Sequence, residues 1–340
     1  MKKTAYIIGI TLPSQGLITL YKYVVSHIMY AEEKGYIPIV DFKHYSNQYF
    51  KDGRIFKDNT WEYFFKQPTK YTLDDLDEFD EIIFSDNVEW ADKKYNIIPP
   101  ILTENIDLNE NSFLKKYSEY FKFSDEMQTH LDKKFEEKIG NQEVLGILCR
   151  GTDYVNLKPV GHSVQPTAEQ FIAKTKEVLE KYPNITKIYL ATEDKEIYQK
   201  FQAEFSNMLI SNDQYLFDKT ESKALTDIKV EKPNHFYNLG KDYLTSLYIL
   251  SKLKYFIAGR NNGSLGVFWL SSFFKNQEYF YIFNLGMYGR VHYSNIFEKI
   301  FSIKKEEFIS RDSNRHYTKS RNKVFVTILG IKFSFEINKN

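Results

Sequence analysis

The sequence predicts an α/β fold built from two doubly wound, parallel-sheet domains. Apolar runs of strand length alternate with amphipathic helical stretches along most of the chain. The 340 residues suit two domains of ~150 residues each. Hydrophobic residues make up 42% of the chain, enough to bury two ordinary cores and too many for a disordered polymer.

The elements follow in order. Residues 5–10 are an apolar first strand, and residues 12–16 a turn. Residues 17–34 carry Leu17, Leu20, Tyr21, Val24, Val25, Ile28 and Ala31 at helical spacing. Gly35 stands where a left-handed C-cap is wanted. Residues 36–42 form the next strand, and this βαβ unit implies a parallel pair with a right-handed crossover. Beyond it lie an aromatic cluster at residues 61–65, a strand at 81–84 and a loop at 96–102. A Lys- and Glu-rich helical stretch spans 113–139, and Gly140-Asn141 marks the boundary between a first domain (1–140) and a second (141–310).

The second domain reads more cleanly. Strands are expected at 144–149, 187–191, 208–211, 255–258 and 278–283, and helices at 167–181, 194–205, 240–252 and 264–274. This alternation describes a Rossmann-like sheet, whose ligands bind outside the carboxyl ends of the strands. Two such domains facing each other enclose a cleft. The tail, 311–340, holds seven Lys or Arg against two acids and a β-hairpin-like run at 324–337 turning near Leu329-Gly330. It reads as a patch for an anionic membrane surface or as a solvated basic neck.

Composition excludes several classes. With 46 Lys+Arg against 45 Asp+Glu, the chain lacks the basic excess of a nucleic-acid binder. One cysteine rules out a disulfide framework and a cysteine-based zinc site. The apolar start is short and broken at Pro13-Ser14-Gln15-Gly16, so it reads as a buried strand and not a signal peptide. No stretch approaches the ~20 apolar residues of a membrane helix. A cytoplasmic protein is expected. The 26 Tyr and 28 Phe fill cores or line a sugar-binding cleft.

Chemistry concentrates at three strand ends. Arg150 follows a buried strand, so its planar fork of donors emerges at the ligand edge, suited to phosphate oxygens. Gly151 lets backbone approach a ligand, and an Arg150–Asp153 ion pair bracing the turn is the plain structural reading. Thr192, Glu193 and Asp194 follow the next strand. They can cap the following helix or hydrogen-bond a base or ribose, and they supply too few ligands for a metal. Gly259, Arg260, Asn261, Asn262, Gly263 and Ser264 join a strand to a helix. Their backbone N–H groups form an anion site or an ordinary tight turn. His162, in the loop after Arg150, is a base, a diphosphate ligand or a surface residue. No Ser-His-Asp order and no His-x-x-x-His spacing occurs.

These segments resemble a known family. Gly146-Ile147-Leu148-Cys149-Arg150-Gly151-Thr152-Asp153 is similar to the arginine motif of GDP-fucose-dependent fucosyltransferases, the α1,6-/nodulation type and its O-fucosyltransferase relatives. Residues 188–194 resemble their second motif, a strand ending in Ala-Thr-Asp-Asp. Residues 250–257 with the following Gly-Asn-Ser loop resemble the third. Order and intervals agree over about 144–285, and Asn59-Thr60-Trp61-Glu62-Tyr63-Phe64 also looks like bacterial members. The resemblance implies a GT-B fold and an inverting, metal-independent transfer. No cofactor is implied, only a GDP-sugar donor and an oligosaccharide or glycan acceptor. Arg150 matches the arginine set against the donor β-phosphate. The family's motif histidine is Leu148 here, and its second arginine is Gly151. An acid that acts as base in α1,6 enzymes falls near Lys158. An aspartate of the helix before the third motif falls near Ser246, with Asp242 one turn earlier.

In such a transfer the departing diphosphate gains charge, and a fixed cation with backbone donors stabilises it. Arg150 is the expected cation, and Asn262, Gly263 and Ser264 open the helix that supplies donors. Asp153, His162 and Glu193 are the candidate bases, with the N-terminal domain as the alternative source. Other GDP-sugars, or a non-catalytic nucleotide- or glycan-binding role on the same fold, are the competing readings.

Overall fold

A computed structural model describes residues 2–11, 15–87, 118–151, 155, 157–158, 162–218, 228, 230–270 and 278–288, and the backbone of strands within 301–337. Asp153, the loop at 96–102, the first part of the 113–139 stretch and the Leu329-Gly330 turn lie outside the described residues.

The N-terminal half holds a parallel three-stranded sheet. β1 (Thr4–Ile8) lies between β2 (Ile37–Val40) and β3 (Glu81–Phe84). The crossover from β1 to β2 is α1 (Leu17–Lys34), which the apolar spacing anticipates over its full length. Gly35 ends it at φ 69°, a left-handed conformation that glycine adopts without steric cost. A second helix, α2 (Asp125–Lys138), is capped by Ser124, whose Oγ accepts the Met127 N–H at 3.3 Å.

The C-terminal half is a five-stranded, all-parallel sheet. Its strands are β4 (Val144–Leu148), β5 (Lys187–Ala191), β6 (Leu209–Ser211), β7 (Tyr255–Gly259) and β8 (Tyr279–Phe283), in the order β6-β5-β4-β7-β8. Crossovers are α3 (Ala168–Lys181), α4 (Lys195–Phe205) and α5 (His235–Lys252), and α6 (Asn262–Trp269) follows β7. The expected parallel α/β architecture is therefore present in both halves. Helix α5 begins five residues before its expected start at Gly240. Its first turn, His235-Phe236-Tyr237-Asn238, follows Asn234 in a left-handed conformation with no side-chain cap, so no N-cap signal marks it in the sequence.

The inner strands of the second sheet, β5, β4 and β7, are buried on both faces, which is why they read as continuous apolar runs. Leu145 and Ile147 point into one cluster with Phe171, Phe201 and Ile257. Val144 and Leu148 point into a larger one. Gly146 is required where α5 crosses. A Cβ there would lie 2.6 Å from Leu250 Cδ2 and 2.9 Å from Leu253 Cδ1.

The larger cluster joins the halves. It contains Tyr6, Tyr21, Trp61, Phe64 and Phe65 of the first and Leu247, Phe256, Phe268 and Trp269 of the second. The Tyr21 and Trp269 rings lie 5.8 Å apart. Many of the aromatics are thus core filling, as their area favours. The C-terminal segment is a three-stranded antiparallel sheet, β9 (Phe301–Arg311), β10 (Tyr317–Ile328) and β11 (Ile331–Ile337), in the order β11-β10-β9. The expected hairpin is its β10–β11 pair. The extra strand β9 is hidden in the sequence because Lys304-Lys305-Glu306-Glu307 breaks the two-residue alternation.

Candidate active site

In the second sheet the chain runs outward from β4 to β5 and β6, then returns to the other side of β4 with β7. The carboxyl ends of β4 and β7 therefore flank the switch point, where open α/β sheets bind ligands. Arg150 stands at the end of β4, where the ladder is carried one residue further by the Cys149 N–H donating to Ala191 O at 3.0 Å. Its side chain is half-buried. Gly151 beside it is buried and closely packed. A Cβ there would fall 2.4 Å from Asp194 Oδ2 and 2.5 Å from Ile197 Cδ1. A side chain at this position would displace the start of α4, which explains why glycine stands here.

Across the crevice, α6 opens on a reciprocal cap. Asn261 Oδ1 accepts the Ser264 N–H at 3.0 Å, and Ser264 Oγ accepts the Asn261 N–H at 3.1 Å. Asn261 and Ser264 thus serve the turn. What this leaves toward the crevice is the backbone at Asn262 and Gly263, with the positive end of the helix dipole. Gly263 sits under Tyr243 Oη and Leu148 Cδ2, which a Cβ would meet at 2.9 and 3.0 Å. Gln165, absent from the sequence reading, ties this loop together. Its Nε2 donates to Arg260 O at 3.0 Å, and its Oε1 would lie 2.7 Å from a Cβ on Gly259. Arg260 is half-buried and Asn262 exposed.

After β5, the capping reading of the acids holds. Asp194 is 5% exposed and its Oδ1 accepts the Ile197 N–H at 3.0 Å, capping α4. Thr192 Oγ1 accepts the Asp194 N–H at 3.2 Å. Glu193 is half-buried and its carbonyl accepts the Phe217 N–H at 2.8 Å. Ser246 lies deeper, beneath the sheet edge, with Asn212 Nδ2 donating to its Oγ at 2.8 Å and Tyr189 above it at 3.5 Å. One turn before it, burial lifts the Asp242 carboxyl to about 6. His162 is exposed, and its carbonyl accepts the Tyr288 N–H at 2.9 Å, so its segment runs beside residues 286–288.

The carboxyl edge of the first sheet meets this one. Asn262 Nδ2, at the start of α6, donates to Thr19 Oγ1 in the first turn of α1 at 3.1 Å. Helix α6 starts directly after β7 and α1 is the helix that follows β1, so this bond ties the carboxyl side of one sheet to that of the other. A second link pairs Asp52 with Asn234, each backbone N–H donating to the other's side-chain oxygen at 2.7 and 2.9 Å.

The first sheet's edge carries polar groups that no motif announces. Ser85 Oγ, at the end of β3, accepts the Gly9 N–H at 3.1 Å and donates to Gly9 O at 2.9 Å. Past β2, the fully buried Asp41 accepts the backbone N–H groups of Lys43 and His44 at 3.1 and 3.0 Å. The His44 ring holds Nδ1 3.0 Å from Asp41 Oδ2 and 3.1 Å from Oδ1. The only signal in the sequence is an Asp placed directly after an apolar strand with a His three residues on.

Among the described residues, no group of three or more His, Cys, Asp or Glu is arranged to hold a metal ion, and no helix is long and apolar enough to cross a membrane. No protein-family model and no curated protein sequence matches the chain. Solved structures do. The fucosyltransferase NodZ from Bradyrhizobium is 13% identical, with 85% of this chain and 97% of that one covered at a TM-score of 0.49. POFUT1 in complex with GDP is 8% identical, covering 83% and 98% at 0.49. NodZ alpha-1,6-fucosyltransferase soaked with GDP-fucose is 12% identical, covering 79% and 93% at 0.47.

Proposed function

We propose that the chain is an inverting, metal-independent glycosyltransferase that moves fucose from GDP-fucose to a hydroxyl of a bacterial surface glycan. The observation that carries this reading is the placement of Arg150 and the opening of α6 on the two sides of the β4/β7 switch point. The three motifs that resemble the fucosyltransferases end on neighbouring strands of one sheet edge, β5, β4 and β7.

In this reading the donor pyrophosphate lies over the crevice. Arg150 faces the β-phosphate, and the Asn262–Gly263 backbone with the α6 dipole faces the same charge. As the sugar–phosphate bond breaks, charge grows on the leaving oxygen, and both groups stabilise it more than they stabilise the bound donor. Thr192, Glu193 and Asp194 form the wall toward the nucleoside, with Asp242 and Ser246 supporting it from α5. His162 belongs to the loop after Arg150, on the side from which the acceptor enters. Leu148 stands where the family has a histidine, and its contact with Gly263 makes this part of the site apolar. The donor is then held by one cation and backbone donors, with no imidazole at that position. The enzyme works at the cytoplasmic face of the membrane, which the basic C-terminal segment approaches through anionic lipid headgroups.

A thermal-shift series in EDTA tests this reading. A ligand that binds only the native state raises its melting temperature, by ~2.7 kcal/mol of stability at a hundredfold excess over Kd. GDP and GDP-fucose are expected to give that rise without metal, and UDP little. A rise with UDP alone retires the fucose reading, and a strict need for a divalent ion retires the metal-free one.

A further inference from the structure

We propose that the Asp41–His44 pair is the general base that takes the proton from the acceptor hydroxyl. This rests on the transferase reading above and supplies the group that reading lacks. Asp41 is fully buried and accepts two backbone N–H groups as well as the ring nitrogen. In this role Asp41 is the ionised acceptor and His44 Nδ1–H the donor of the bond between them, and Nε2 is the nitrogen that takes the proton. The buried carboxylate also offsets the positive charge the ring acquires on taking a proton, the logic by which an acid behind a histidine serves catalysis elsewhere.

The position suits the task. His44 lies just past β2, on the carboxyl edge of the first sheet, and its side chain is 22% exposed. The segment that carries it runs on to the second sheet's edge. Tyr45 packs on Gly9, where a Cβ would overlap its ring at 2.0 Å. Gln48 Nε2 and the Tyr49 hydroxyl donate to Gln15 O at 3.0 and 3.3 Å. Asp52 then pairs with Asn234 at the start of α5. The segment past the ring is thus tied to the turn before α1 and to the start of α5, and in this proposal the ring faces the donor from the first sheet's side. An acceptor hydroxyl between the walls would be attacked from the donor on one side and relieved of its proton on the other.

The step balances simply. The acceptor oxygen forms a bond to the sugar's anomeric carbon while its O–H bond breaks and the proton passes to His44 Nε2. The bond from that carbon to the β-phosphate oxygen breaks, and its electron pair leaves with GDP. The imidazolium then returns the proton to solvent.

The test uses the full chain and measures GDP release from GDP-fucose, with water and with concentrated methyl β-galactoside as the hydroxyl donors. His44→Gln is expected to lower kcat at least a hundredfold while the KM for GDP-fucose and the thermal shift with GDP stay within twofold of wild type. His44→Gly should fall equally, and free imidazole should restore at least a tenth of the lost rate. That rescue should fail in the Asp41→Asn/His44→Gly double variant, which separates a positioning role of Asp41 from a merely structural one. Unchanged turnover in a GDP-responsive His44→Gln protein, or no rescue of His44→Gly, overturns the pair's role and leaves the transferase reading standing. A wild-type chain that neither responds to GDP nor releases it from GDP-fucose overturns both.

Discussion

The two carboxyl edges of this molecule use similar polar residues in opposite ways. At the second sheet, the side chains of Asp194 and Asn261 accept backbone N–H groups at helix starts and so organise the turns. At the first sheet, backbone N–H groups of Lys43 and His44 hold the Asp41 carboxylate, which in turn holds an imidazole. In the proposed function, one edge turns main-chain donors and the Arg150 cation toward an anion, and the other sets an imidazole against a buried carboxylate to move a proton. An acid or amide after a strand thus has its meaning set by the direction of its hydrogen bonds, which residue type alone does not give.

The largest expected effect separates the edges outright. Arg150→Ala should lower turnover of GDP-fucose by two or more orders of magnitude, ~3 kcal/mol of barrier, and reduce the thermal shift with GDP. Steady-state kinetics on the folded variant checks it, and near-normal transfer would break the division of labour. A second test concerns a carboxyl behind the second edge. Burial raises Asp242 from an ordinary 3.8 to about 6, so between those values the native state holds a proton the unfolded chain releases. Stability from this group is therefore full below about pH 4 and is lost as pH rises through 6, by at most ~3 kcal/mol. Asp242→Asn should melt higher than wild type at pH 7.5 and show no advantage at pH 4, as calorimetry at the two pH values would reveal. The smallest effect sharpens the capping side of the comparison. Asn261→Ala removes the α6 cap and should cost about 1 kcal/mol by urea denaturation. Because the cap also shapes the anion site, its GDP response should weaken as well. Asp194→Ala, capping one strand further out, should match it in stability and perturb GDP less.

Much of the second half was legible because its inner strands are buried on both faces and read as nearly unbroken apolar runs, as at 187–191. Helix α1 was legible from its spacing and Gly35. The start of α5 was not, since Asn234 caps it with a backbone conformation and leaves no side-chain mark. The strand-end segments were legible as strand-to-helix turns, yet residue type alone does not tell a cap from a ligand contact there, as Asp194 and Asn261 show. Gln165 escaped notice because its partners, Arg260 and Asn261, lie about 95 residues away. Asp41 and His44 escaped because a carboxylate and an imidazole three residues apart in a loop follow no helical or strand period.

The aromatic seam between the halves has a mechanical consequence. Tyr21 packs against Trp61 and Trp269, and Phe64 against Tyr237, so rings from both halves interleave in one buried layer. Hinging the halves apart would wet those rings at ~25 cal/mol for every Å² exposed, several kcal/mol for even two of them. The two halves are thus held together by a shared core and not by surface contacts alone.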